Sequence, residues 1–148
     1  MIYVFGYGSL MNLDSVRTTS VSAGAGEWCT LFGYQRKCNA IHPDFPDVAM
    51  NLVVNQSSSV IGRIILFPEI DLPALLQREV GYEMVAITKK LDQSFPQPVY
   101  TFIAPDRPTQ QGKFVRKAYL DICLDALPES QREQWLSETI IEYPVREI

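Results

Sequence analysis

Apolar and polar positions along the chain fall into a block of strands first and helices last. Ile2 to Leu10 (Ile-Tyr-Val-Phe-Gly-Tyr-Gly-Ser-Leu) is an apolar run ending in two glycines around a tyrosine, the pattern of a strand entering a loop. Met11 to Thr19 contains Asn12 and Asp14, either of which suits the cap of a short helical turn. Ser20 to Gly26 lacks apolar periodicity and reads as a loop, and Glu27 to Asn39 as a strand bent at Gly33. Ala40 to Asp47, with Pro43 and Pro46, reads as a surface loop. Met50 to Val54 and the almost wholly apolar Val60 to Phe67 are strand-like, with polar Asn55 to Ser59 suited to a hairpin connection; Gly62 marks a bulge or a close backbone approach.

From Pro68 the period becomes helical. Ile70, Leu72, Leu75, Leu76 and Val80 share a stripe, Asp71 is the expected cap, Pro73 belongs in the first turn, and Gly81 ends the helix. Tyr82 to Leu91 and Pro98 to Ala104 alternate as strands around the turn Asp92 to Pro96. After the loop Pro105 to Gly112, Phe114, Ala118, Tyr119, Ile122, Cys123 and Leu127 form one helical face from Lys113 onward. Pro128 suits the first turn of a last helix, Glu129 to Ile140, with Trp135, Leu136, Thr139 and Ile140 as its buried stripe. About six strands and two or three helices in this order argue for an α+β domain rather than an alternating βαβ wind.

The 148 residues, 47 % of them hydrophobic, suit a single domain spanning 1–148. A formal net charge of −4 disfavours nucleic acid or anionic lipid as partners. Cys29, Cys38 and Cys123 form no C-x-x-C pair and read as buried thiols of a reducing compartment. With no basic segment before the first strand and no apolar run near the ~20 residues that cross a bilayer, the expectation is a soluble, cytoplasmic protein without a membrane partner.

Several chemistries are excluded by single positions. A dinucleotide G-x-G-x-x-G starting at Gly6 would need glycine where Met11 stands, and a nucleophile elbow around Ser9 would need glycines where Tyr7 and Met11 stand. His42 is the only histidine, on a proline-bounded loop, so no two-histidine metal site exists. Two features remain. Amides from Tyr7 to Leu10 are spaced to form a concave anion nest, with Gly6 and Gly8 supplying backbone freedom and Ser9 a hydroxyl. Glu79 lies at a helix C-terminus, where partial negative charge and burial both raise a carboxyl pKa. Glycine is common at strand–turn junctions, and a helix-end glutamate ordinarily pairs with a neighbour such as Arg78 or Lys89, so neither feature marks a site alone.

Together they do. Val4-Phe5-Gly6-Tyr7-Gly8-Ser9-Leu10 with Arg78-Glu79-Val80-Gly81-Tyr82 resembles the gamma-glutamylcyclotransferase-like superfamily, which includes gamma-glutamylcyclotransferases, ChaC-type and gamma-glutamylamine cyclotransferases and AIG2-like proteins. Leu31, Gly33, Tyr34 and Arg36 match its Leu-x-Gly-Tyr-x-Arg strand, and Val60 and Gly62 its Val-x-Gly strand. Asn12 departs from the tryptophan of ChaC proteins, and Leu76 from an aspartate often found before the glutamate. The resemblance implies a small mixed β-barrel with helices packed outside and a small-molecule γ-glutamyl substrate held by Tyr7, Gly8, Ser9, Leu10 and Tyr119. It further implies Glu79 as catalytic general acid/base, cyclisation to 5-oxoproline with release of an amine or amino acid, and no metal or organic cofactor. The alternative, as in some AIG2-like members, is a non-catalytic binder of a small anionic metabolite.

Overall fold

A computed structural model describes residues 1–148. Its strands are β1 (Ile2–Gly6), β2 (Gly24–Ile41), β3 (Val48–Phe67), β4 (Glu83–Ala86), β5 (Val99–Ile103), β6 (Val115–Arg116), β7 (Thr139–Ile140) and β8 (Val145–Arg146); its helices are α1 (Leu13–Val16), α2 (Leu72–Arg78), α3 (Lys117–Asp125) and α4 (Glu129–Ser137). The architecture is α+β. A mixed six-stranded sheet runs β4-β5-β1-β3-β2-β7, parallel at β1–β5 and β2–β7 and antiparallel elsewhere, and β6 pairs with β8 apart from it.

The expected barrel does not close. β4 has four residues and gives way to a 3₁₀ turn, Thr88–Lys90, so that side of the sheet reaches β2 through a single bridge, Leu31 to Leu91. With two-residue β7 at the other edge, the sheet stays open.

Both faces of the sheet are covered. Strand alternation sends Phe5 and Ile64 into a 20-residue cluster with α3 and α4, through Leu120, Cys123 and Trp135, while Val4 and Ile65 enter an 8-residue cluster with α1 and α2, through Val16 and Leu75. The apolar run Val60 to Phe67 follows, since a strand buried on both faces needs no polar alternation. Cys29, Cys38 and Cys123 are free and buried, and no helix is long and apolar enough to cross a membrane.

The expected hairpin at Asn55 to Ser59 is a bulge within one 20-residue strand. Val54 pairs with Tyr34 and Ser59 with Phe32, so residues 55–58 bow out opposite Gly33 (φ +87°) while both flanks keep β2 as their partner. The Ser20–Gly26 loop ends early, because Gly24 and Ala25 already pair with Leu66 and Ile65. Phe114 to Arg116 is extended rather than helical: Phe114 exchanges main-chain hydrogen bonds with Pro46 and Val48, and Val115 bonds to Pro144. Thr139 and Ile140 leave the last helix to pair with Arg36 and Lys37. Asp71 flanks α2 without capping it, its carboxylate accepting from Ser20 Oγ at 2.6 Å. Leu75 alone of α2 is buried; Ile70, Leu76 and Val80 are exposed, as are Leu136, Ile140 and, marginally, Ile122.

Gly62 shows the close approach. A Cβ there would overlap the Phe5 ring and lie 2.5 Å from the Gly6 carbonyl oxygen, so β1 and β3 meet at this distance only through glycine. Asn51, fully buried, ties β3 to the end of β5: its amide donates to Ala104 O (3.0 Å) and Asn39 Oδ1 (2.9 Å), and its oxygen accepts from Ala104 N (2.9 Å).

Candidate active site

A cleft of about 270 Å³ lies where β1 ends, lined by Tyr7, Gly8, Ser9, Leu10, Met50, Glu79, Tyr82, Phe102 and Tyr119. All six residues singled out from sequence and resemblance line it. β1 carries Tyr7 past the sheet edge, and a 3₁₀ turn, Ser9–Met11, folds the chain back, with Met11 N donating to Gly8 O and Asn12 N to Ser9 O, both at 3.0 Å. Asn12 then caps α1 by accepting from Ser15 N at 3.1 Å. The glycines serve close packing rather than left-handed angles, as neither has positive φ. A Cβ on Gly6 would stand 2.7 Å from the Leu10 carbonyl carbon, and one on Gly8 3.1 Å from Met50 Cβ and 3.2 Å from the Tyr119 hydroxyl.

Glu79 is the C-terminal cap of α2, its amide donating to Leu75 O at 3.0 Å, and Gly81 (φ +93°) turns the chain onward. Its side chain is 12 % exposed, and burial drives the carboxyl pKa from its ordinary 4.5 to about 7. Arg78 opposes that shift from 3.7 Å, beyond hydrogen-bond range. At neutral pH the carboxyl therefore populates both protonation states, as a group that takes up and returns a proton must.

Arg78, adjacent to Glu79, holds the glycine loop. Its Nη1 donates to Ser15 O (2.8 Å) and Thr19 Oγ1 (3.2 Å), and its Nη2 to Ser15 Oγ (3.0 Å) and Ser9 Oγ (3.3 Å). The guanidinium thus braces the turn after β1 against the end of α2. Three phenols complete the walls. Tyr7 OH donates to Phe102 O, Tyr82 OH donates to Met50 O (2.7 Å), and Tyr119 OH accepts from Met50 N (2.9 Å). The phenol pKa values are all raised, chiefly by burial, so these hydroxyls remain neutral donors. Tyr119 accepts in its bond to Met50, and its own proton is directed to the Cys123 thiol one turn along α3.

Arg78, Tyr82, Met50 and Phe102 were not among the site residues expected from sequence. Arg78 and Tyr82 flank Glu79 within three positions, a proximity that carried a usable signal. Met50 acts through its main chain, which leaves no trace in residue type. His42 stands apart from the cleft, its Nδ1 accepting from Asp44 N at 3.1 Å.

No protein-family model matches the chain, and no curated protein matches it by sequence. By structure it is similar to a gamma-glutamyl cyclotransferase (TM-score 0.75, 12 % identity, 99 % of this chain and 94 % of that one). It is also similar to an uncharacterised Homo sapiens protein, loc79017 (TM-score 0.75, 14 % identity, 99 % and 94 %), and to YkqA from Bacillus subtilis (TM-score 0.71, 15 % identity, 98 % and 56 %). The chain shares its fold with that gamma-glutamyl cyclotransferase.

Proposed function

We propose that this protein is a cofactor-independent γ-glutamyl cyclotransferase with Glu79 as its general acid/base. The observation that carries the reading is a nearly buried carboxyl with a pKa of about 7 facing a glycine turn across a small cleft. The fold shared with a gamma-glutamyl cyclotransferase supports it.

In the reaction the α-amine of a γ-glutamyl group attacks its own δ-carbonyl. A C–N bond closes the five-membered ring, the bond to the leaving nitrogen breaks, and 5-oxoproline and a free amine result. Holding amine and carbonyl in contact removes much of the barrier, so no protein nucleophile is required. Ionised Glu79 takes the proton that the α-ammonium must lose and gives it to the departing nitrogen; the second proton, shed by the ring nitrogen once the new C–N bond has formed, passes the same way, so the amine leaves as an ammonium and Glu79 ends ionised. Main-chain N–H groups of the Gly8–Leu10 turn receive the substrate carboxylate or the oxyanion that develops on the carbonyl, with Ser9 Oγ held in place by Arg78. Tyr119, its hydroxyl fixed by the Met50 amide, forms the opposite wall.

The test is product analysis with γ-glutamyl dipeptides, glutathione and γ-glutamyl amines. Release of 5-oxoproline is expected, with Glu79→Gln slower by two to four orders of magnitude, the contribution of general acid–base catalysis. Free glutamate as the product would identify a hydrolase, and binding without turnover a non-catalytic binder; either result overturns the proposal.

A further inference from the structure

The cyclisation changes the charge of the group held in the cleft. A γ-glutamyl head enters with an α-ammonium and an α-carboxylate; in 5-oxoproline the same nitrogen is a neutral lactam N–H, and only the carboxylate stays charged. Substrate head and product therefore differ by one positive charge.

The cleft holds the groups to sense that difference. Of its nine lining residues only Glu79 acquires a formal charge near neutral pH; the other ionisable ones are Tyr7 beyond β1, Tyr82 beyond α2 and Tyr119 on α3, phenols that burial keeps neutral. The cation beside Glu79, Arg78, lines the neighbouring groove rather than the cleft, and its four Nη bonds go to uncharged oxygens of Ser9, Ser15 and Thr19. Its one ion-pair partner is Glu79, Nε to Oε1 at 3.7 Å. The groove's other ionisable residues, His42 and Asp47, form their ion pairs with Asp44 and Arg116.

We propose that Glu79 and Arg78 together make the cleft discriminate substrate from product by charge: 5-oxoproline is held while Glu79 is protonated and expelled once it is ionised. The inference rests on the cyclotransferase reading above. Two effects act in the same direction. An ionised Glu79, shielded from solvent, repels a carboxylate that shares a 270 Å³ cleft with it and attracts an ammonium. It also neutralises Arg78, whose charge otherwise reaches an anion on the Gly8–Leu10 turn through the Ser9 Oγ bonded to it at 3.3 Å. A protonated Glu79 removes the repulsion and leaves that positive charge uncompensated. Because a turnover ends with Glu79 ionised, the finished product sits beside the protonation state that binds it least. The next substrate, with its ammonium, meets the state that binds it best.

The experiment is calorimetric titration of 5-oxoproline into the wild type at pH 5.5 and pH 8.5, on either side of the Glu79 titration near 7. The ligand's own carboxyl, with a pKa of about 3.5, is ionised at both. Affinity is expected to fall about tenfold or more between the two, and about 30-fold if the ionised site binds no product at all. 5-Oxoprolinamide, the same ring without the charge, should bind equally at both pH values, and Glu79→Gln should bind 5-oxoproline with an affinity independent of pH. Equal wild-type affinity for 5-oxoproline at the two pH values, or no binding at either, overturns the inference. So does a fall of the same size in Glu79→Gln, which assigns the titration elsewhere, with His42 in the groove as the candidate. The same fall with the amide also overturns it, since the site itself is then lost rather than its charge changed. The cyclotransferase reading is judged apart, by 5-oxoproline release from γ-glutamyl substrates. Release together with pH-independent product binding leaves that reading standing without this inference, and no release from any γ-glutamyl substrate overturns both.

Discussion

Replacing Glu79 by glutamine should make the protein more stable at alkaline pH, by an amount that the burial of the carboxyl sets. In the folded chain this group titrates near 7 rather than 4.5. The native state therefore holds the proton more tightly than the unfolded chain does, and this group's contribution to stability falls as pH rises from 4.5 through 7, then levels off. At about 1.4 kcal/mol per pH decade, the difference reaches about 3 kcal/mol above pH 8. Glutamine has the shape of the protonated acid and no charge to bury, so the variant lacks this slope. Urea unfolding of both proteins at pH 4.5 and pH 8.5 isolates the effect, because every other titrating group is common to both and cancels. The variant should gain about 3 kcal/mol over wild type between the two pH values, or roughly 6–12 °C in melting temperature for a chain of this size. Parallel loss of stability in the two proteins would mean that Glu79 ionises in the fold as easily as in water, and the account of its burial would be wrong. A residue kept at such a disadvantage is expected where function needs it.

The same titration should govern activity: kcat on a confirmed γ-glutamyl substrate should rise with pH through about 7, and the residual activity of Glu79→Gln should lack that limb, read from pH–rate profiles. Gly8→Val drives a branched side chain toward Met50 and the Tyr119 hydroxyl and should weaken γ-glutamyl ligand binding measured by calorimetry, whereas Ser9→Ala, which keeps the main-chain donors, should cost less. Gly62→Ala forces a methyl into the Phe5 ring and the Gly6 carbonyl, separating β1 from β3, and should cost about 1–3 kcal/mol or prevent folding, measured by denaturant unfolding. Asn51→Ala leaves the Ala104 amide and carbonyl without their buried partner and should cost on the order of 2–4 kcal/mol by the same assay.

Much of the site is local, and local features are legible in a sequence. A strand ending in Gly-Tyr-Gly-Ser, an asparagine placed to cap the next turn, a glycine where two backbones meet, and a glutamate closing a short helix each depend on neighbours within a few residues. Sequence by itself determined these, together with the α+β class and the run Val60 to Phe67. Tertiary structure decided whatever depends on a distant partner. Asn55 to Ser59 has the composition of a turn, yet both its flanks find β2, so the chain continues as one strand with a bulge. Phe114 to Arg116 fits a helical stripe, yet the edges at Pro46, Val48 and Pro144 offer hydrogen bonds that hold it extended. Ile70 and Val80 share a helical period with Leu75 but face solvent, because α2 is too short to bury more than one residue of its stripe. Arg78, Tyr82 and the Met50 main chain join Glu79 for the same kind of reason: their partners at Ser15, Thr19 and across β3 lie about 30 to 70 residues away, and hydropathy periods carry no information over such separations.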